Sequence, residues 1–240
     1  MRRILISFIA IGFVFLLALG CSEDEPTAPV PAVLAKILIL EDGGTQDSLF
    51  KILDSAGFDV TLGGHYSDYT GTNFSTYNLV ILLDGFVTGY TMADSIQTAL
   101  KNYVQSGGVL LTTDWFNYYA NNVIVDSISP LEYGGNYGDG AVERYVKELD
   151  HPITAGVPDT FDTYQDWTWI QAVDKANSLS TNRQVLFSGF QAGSTALGIG
   201  TYGSGRIIHW AMAGVDYGPN IWSPEVRRIF INIAAFSKTI

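Results

Sequence analysis

The sequence predicts a three-layer α/β sandwich: a mainly parallel sheet with helices on both faces and an antiparallel hairpin near its C-terminal end. Three observations predict it. Residues 37–40 and 79–83 are continuous apolar runs, the pattern of strands buried on both faces. Stretches with helical spacing lie between such runs, with Leu49, Ile52, Leu53 and Ala56 on one and Ile96, Leu100 and Val104 on another. Strand, helix, strand then recurs, which is the rhythm of a doubly wound sheet.

The elements follow in order. The first strand ends in Glu41 and Asp42, and Thr45 is placed to cap the helix that Gly57 ends. Residues 58–62 form a second strand. The third strand, 79–83, runs into Asp84. Residues 91–94 (Thr91, Met92, Ala93, Asp94) have the spacing of a capping box, and the helix behind them stops at Gly107 and Gly108. The fourth strand, 109–113, leads into Asp114 and Trp115. From 117 to 182 the pattern weakens, and the segment is expected to fold over one edge of the sheet. Residues 184–190 and 196–202 read as strands. Gly203, Ser204 and Gly205 make a tight hairpin into a further strand, 206–212. Pro224 opens a last helix that turns Val226, Ile229, Phe230 and Ile233 toward the sheet.

Composition narrows the function. Hydrophobic residues are 47% of the 240 and charged residues only 15%, enough apolar material for one core. The net charge of −11 argues against a nucleic-acid partner. One cysteine excludes an intramolecular disulfide and a thiolate metal site. Three widely spaced histidines are no zinc signature. His65 is expected in an exposed polar loop, His151 to brace a turn, and His209 to face either core or crevice.

Before the folded part, Arg2 and Arg3 precede an apolar run from 4 to 19, shorter than the roughly 20 residues a membrane-spanning helix needs. The run ends in Leu17, Ala18, Leu19, Gly20 and Cys21, which resembles the lipobox of bacterial lipoproteins. That resemblance implies a signal peptide over 1–20 and lipidation of Cys21. It also implies export, with a lipid anchor joining the protein to the membrane at the bacterial cell envelope, the outer membrane being the expected side. Residues 21–35 are an acidic, proline-rich linker, and 36–240 form the domain.

The domain carries a second resemblance. Residues 151–158 (His151, Pro152, Ile153, Thr154, Ala155, Gly156, Val157, Pro158) are one matching piece, and Gly203, Ser204, Gly205 and Arg206 before a strand are another. Residues 222–228, from Trp222 through Ser223 and Pro224, enter the last helix in a similar way. Together they resemble the trehalose-utilisation group of the class I glutamine amidotransferase-like superfamily. The resemblance implies a flavodoxin-like fold. Catalytic members of that superfamily place a cysteine at the turn after a central strand, followed later by a histidine. Here the turn reads Thr112, Thr113, Asp114, Trp115, and Val215 stands where a histidine often precedes the acid Asp216. A thiol–imidazole mechanism therefore has neither nucleophile nor base.

The remaining chemistry lies at the strand ends. In open α/β sheets ligands bind beyond the carboxyl ends of the strands. Glu41, Asp42, Asp84 and Asp114 fall there. Each caps a helix, or binds a divalent cation such as Mg²⁺ or Ca²⁺ (Glu41, Asp42 and Asp84 being the candidate ligands), or serves acid–base chemistry with Asp114 as base. Aromatic residues nearby suit sugar faces. The expected ligand set is Asp42, Asp84, Asp114, Trp115, Trp167 and Asp216. The leading expectation is a non-catalytic module for a carbohydrate or polyol with no resident cofactor. The alternatives are a sugar- or glycan-modifying enzyme, with or without a divalent metal, and a structural envelope protein.

Overall fold

The structure is a computed structural model that describes residues 34–42, 46–84, 90–113, 115–116, 121–137, 144–163, 171–176, 183–189, 195–211 and 222–240. The lipobox stretch with Cys21, the cap at Thr45, and Asp114, Trp167, Val215 and Asp216 lie outside these residues.

The first half alternates as predicted: β1 (Lys36–Glu41), α1 (Gln46–Ser55), β2 (Asp59–His65), β3 (Leu79–Leu83), α2 (Asp94–Gln105) and β4 (Val109–Thr113). A single turn, α3 (Val123–Asp126), follows. Then come β5 (Leu131–Tyr137), β6 (Arg144–Lys147), β7 (Thr160–Asp162), β8 (Gln171–Ala176), β9 (Gln184–Ser188), β10 (Thr195–Tyr202), β11 (Gly205–Trp210) and α4 (Pro224–Phe236).

Among the described residues eleven strands share one sheet, whose main path runs β2-β1-β3-β4-β11-β10-β9-β6-β7. Strands β2, β1, β3, β4 and β11 pair in parallel. Beyond β11 the pairing is antiparallel. Strand β8 joins β10, and β5 joins β8. The predicted α/β class holds, with parallel strands through the centre. The antiparallel part is larger than one hairpin, because the weakly patterned segment supplies β5 to β8.

Side-chain alternation divides the core. Ile37 and Ile39 of β1, Leu79 and Ile81 of β3, and Val109 and Leu111 of β4 face α1 and α4. Leu38 and Leu40, Val80 and Leu82, and Leu110 face α2 and α3. Strands buried on both faces need apolar side chains at consecutive positions, which is why their sequences are continuous apolar runs. Each such residue contributes about 1.5–3 kcal/mol through burial.

Two local devices fix the frame. Strand β2 carries one residue more than β1 at Gly63, because Ile39 pairs with Leu62 while Leu40 pairs with Gly64. Gly64 has φ +80°, and a Cβ on Gly63 would collide with Leu40. At the other site, the β10–β11 hairpin sits on the end of α2. Ser204 N donates to Gln105 O at 3.0 Å, and Arg206 N donates to Gly108 O at 3.1 Å. A Cβ on Gly205 would lie inside the contact radius of Val104 O, so the hairpin docks only with glycine there.

The expected capping box at the start of α2 is not formed. The N-cap is Ala93, and no side chain caps it. Met92 is buried, and its N–H donates to Asn122 Oδ1 at 2.9 Å, which holds the chain extended past Thr91. Gln97 supplies the local brace instead. Its Nε2 donates to Met92 O at 2.9 Å, and its Oε1 accepts from Ile124 N at 3.0 Å, tying α2 to α3. At α4 the prediction holds: Pro224 opens the helix and Ser223 Oγ accepts from Val226 N at 3.3 Å.

Candidate functional site

Strands β1 and β3 lie side by side in register and end together. Asp42 and Asp84 follow their last residues. By alternation both continue the face of Leu38, Leu40, Val80 and Leu82. Both are buried, Asp84 to 1% exposure. Glu41 continues the opposite face, that of Ile37 and Ile39, so the four strand-end acids do not converge as a group. Asp42 and Asp84 meet, Glu41 diverges, and Asp114 is not among the described residues.

Tyr66, the residue after β2, completes the pair. Its Oη donates to Asp84 Oδ2 at 2.9 Å. The Asp84 backbone is anchored by β4: its N–H donates to Thr113 Oγ1 at 2.9 Å, and that hydroxyl donates back to Asp84 O at 3.1 Å. Asp84 Oδ1 is buried and has no hydrogen-bond partner among the described residues.

Burial pushes the Asp84 carboxyl well above the usual carboxylate range, and the charge and hydrogen bonding of Asp42 push the same way. The Tyr66 hydroxyl opposes them in part, because it donates to the charged form. Burial, then the charge of Asp84, raises Tyr66 in turn, so Tyr66 stays a protonated donor. Burial and the neighbouring Asp42 thus favour the protonated form of Asp84. Such a pair offers both a donor and an acceptor.

Aromatic rings surround the carboxyls. His65 meets Tyr90 edge-on with centroids 4.4 Å apart, and Tyr66 packs at 6.3 Å from Tyr90 and 6.0 Å from Phe116. Tyr90 is exposed. His65 is half-buried at the end of β2 rather than exposed in a loop, and its Nδ1 lies 2.8 Å from Ser67 Oγ. Trp115 is half-buried in a short turn beside Phe116. His209 is fully buried on β11, 2.7 Å from Thr112 Oγ1 of β4, and so belongs to the core. Trp222, another aromatic residue, is buried and stacked on Phe230.

Glu41, Asp42 and Asp84, the candidate cation ligands, are not brought together as a set of three. Among the described residues no group of three or more His, Cys, Asp or Glu side chains is placed to hold an ion. His65, Tyr66 and Tyr90 join the site without having been expected from sequence. The signal for the first two was available, since they follow β2 and the carboxyl end of β2 also opens on this crevice. Two grooves, of 490 and 410 Å³, lie at the other end of the sheet, by the amino ends of the parallel strands. The carboxyl-end site rests on its side-chain chemistry rather than on groove size.

The sequence matches no protein-family model and no curated protein. Solved structures share its fold. A ThuA-like protein from Parabacteroides merdae superposes with a TM-score of 0.61 at 16% identity, over 86% of this chain and 90% of that one. The cytoplasmic protein STM1381 from Salmonella typhimurium LT2 gives 0.62 at 15% identity, over 85% of this chain and 99% of that one. A β-galactosidase from Bacillus circulans gives 0.64 at 12% identity, over 86% of this chain but only 31% of its own. The domain therefore has the α/β fold of these structures, the ThuA-like protein among them. At such identities the likeness extends to the fold alone.

The location expected from the lipobox is corrected. Two structural neighbours are described as cytoplasmic proteins, and no helix among the described residues is long and apolar enough to cross a membrane. The description of those two neighbours stands against the expected export and envelope anchoring.

Proposed function

We propose that the carboxyl end of the parallel strands binds a neutral, hydroxyl-rich small molecule, a carbohydrate or polyol, without transforming it. One observation carries this reading: Asp42 and Asp84 are buried together at the carboxyl ends of β1 and β3, with Tyr66 bonded to Asp84 and packed near the ring of Tyr90. A hydroxyl group both donates and accepts, and two adjacent carboxyls, one of which favours its protonated form, suit both needs. A ring of Tyr90 or Trp115 would cover the apolar face of a sugar. Asp114, Trp167 and Asp216 belong to the proposed ligand set on sequence grounds. The β-galactosidases share this fold over about a third of their length, and the reading rests on the side chains rather than on them.

The test is a panel of neutral mono- and disaccharides and polyols, screened by saturation-transfer NMR and followed by calorimetry. At least one should bind saturably, with affinity falling about tenfold, the equivalent of one charge-assisted hydrogen bond, in Asp42→Asn. A panel without binders, or equal affinity in a folded Asp42→Asn protein, would sink the proposal.

A second reading draws on the same pair. A carboxylic acid beside a carboxylate is the arrangement of a general acid and a base. Turnover of aryl glycosides that disappears in both Asp84→Asn and Asp42→Asn would replace binding with catalysis.

A further inference from the structure

At the opposite end of the sheet, two stretches singled out in the sequence meet. Residues 151–158 hold His151, and the hairpin holds Arg206. Both line the 410 Å³ groove, together with Gln184, Thr201 and Phe236. Register explains the meeting. Thr201 of β10 stands directly across from Arg206 of β11, and Gln184 of β9 pairs with Ile199. All three positions share the face of Ile199 and Ile208, against which α4 packs.

Arg206 has cationic capacity to spare. Its Nη1 donates to Gly205 O at 2.9 Å and to Ser204 O at 3.4 Å, both backbone carbonyls. The ion pairs among the described residues join Arg144 and Lys147 to aspartates, and none involves Arg206. In a chain with 24 acids against 13 bases, this guanidinium makes no ion pair with a described acid and lines a groove, which Ile240 at the chain's end also lines, so its remaining donors are available to an anion.

His151 points to the same ligand. Its Nδ1 accepts from Ile153 N at 3.2 Å, capping the 3₁₀ turn Pro152–Thr154. That bond assigns the ring proton of the neutral imidazole to Nε2, which is left as a donor. The ring is held on Phe236 with centroids 5.0 Å apart. One feature opposes an anion, the C-terminal end of α4, where carbonyl dipoles cost about 0.3–1 kcal/mol. Those carbonyls are already engaged: Ala235 O accepts from Lys238 N, and Phe236 O accepts from Thr239 N.

We propose that Arg206, His151, Gln184 and Thr201 form an oxyanion-binding site at the amino end of the sheet. The guanidinium fork supplies charge and paired donors. The imidazole Nε2–H, the Thr201 hydroxyl and the Gln184 amide supply neutral donors around it. The ligand class is a phosphoryl or carboxylate group small enough for the groove. The site is separate from the carboxyl-end crevice and does not depend on the function proposed for it.

The experiment titrates the full chain with inorganic phosphate and, separately, with acetate, following the His151 ring by NMR. The resonance is assigned by its loss in His151→Gln. Saturable binding of at least one anion is expected, with affinity down about tenfold in Arg206→Gln. The bound anion should also raise the pH at which His151 gains its proton. Phosphate tighter than acetate would identify a phosphoryl ligand, and comparable affinities a carboxylate. If Arg206→Gln fails to fold, Arg206→Lys serves: it keeps the charge but loses the fork, and weakened binding is again expected. Failure of both anions to saturate the wild type would overturn the proposal, as would unchanged affinity in a folded Arg206 variant.

Discussion

Tyr66 reaches across the end of β1 to donate a 2.9 Å hydrogen bond to Asp84, linking residues that follow two strands which are not neighbours. Asp42 stands on the strand between them. The three groups make one unit, in which Tyr66 holds Asp84 while burial, and Asp42 after it, raise the proton affinity of Asp84.

Asp84→Asn tests that protonation. The folded chain holds the Asp84 proton to higher pH than the unfolded chain does, because burial and Asp42 raise it. The stabilisation is complete below the unfolded carboxyl midpoint, about pH 4, and is lost as pH rises through the folded midpoint. Each tenfold gain in proton affinity corresponds to about 1.4 kcal/mol. Urea unfolding from about pH 4 to 8 should show the wild type losing stability relative to Asp84→Asn. Parallel profiles would refute the assignment.

Tyr66→Phe removes the donor and keeps the ring. Asp84 Oδ2 is then buried without that partner, at a cost of about 1–3 kcal/mol. The same change in an Asp84→Asn background should cost less, and the difference is the coupling between the two side chains, read from a double-mutant cycle of chemical denaturation. Additive losses would mean that the bond carries no energy.

Gly205→Ala should damage the hairpin seat. Its methyl would enter the space of Val104 O and Gly108 O, backbone atoms that cannot swing away, so a loss of about 1–3 kcal/mol or more is expected. Gly64→Ala meets nothing within 4 Å and pays only the left-handed backbone cost of about 1–2 kcal/mol. Thermal melts should rank the two in that order.

Gln97→Leu tests the brace between α2 and α3. The variant has nearly the same shape but leaves Met92 O and Ile124 N without their side-chain partner. A loss of about 1–3 kcal/mol for each group is the expected upper range, with hydrogen exchange at Ile124 accelerated. Unaltered exchange at that amide would exclude the brace.

His151 gives stability the opposite pH dependence from Asp84. Burial first, and the Arg206 charge second, lower its proton affinity below the ordinary histidine value. Its contribution is present above about pH 6.5 and falls away as pH drops below that value. NMR titration should place its midpoint below that of a histidine in the denatured chain.

The central strands were legible because burial on both faces forces continuous apolar runs, as in Leu38 to Leu40 and Leu79 to Leu83. Strand β5 was not, because Gly134, Gly135 and Asn136 interrupt any apolar period. Strand β6, Arg144–Lys147, is too short to display one. Asp42 and Asp84 were legible as residues following buried strands. Their companion Tyr66 was hidden by Gly63 and Gly64, which end the apolar signal of β2 at Leu62 while the strand runs on to His65. Glu41 shows the limit of adjacency: its neighbour lies in the site, and a strand period of two sends it to the other side.

The extra residue at Gly63 acts beyond its own strand. Strand β2 closes one border of the sheet, and a straight border exposes a ladder of amide and carbonyl groups that a second chain can extend. The kink breaks the spacing of that ladder near its middle, so an incoming strand could match only one half of it. Growth into ribbons is thereby discouraged, with the exposed Asp59 at the strand's start adding a charge to the same border.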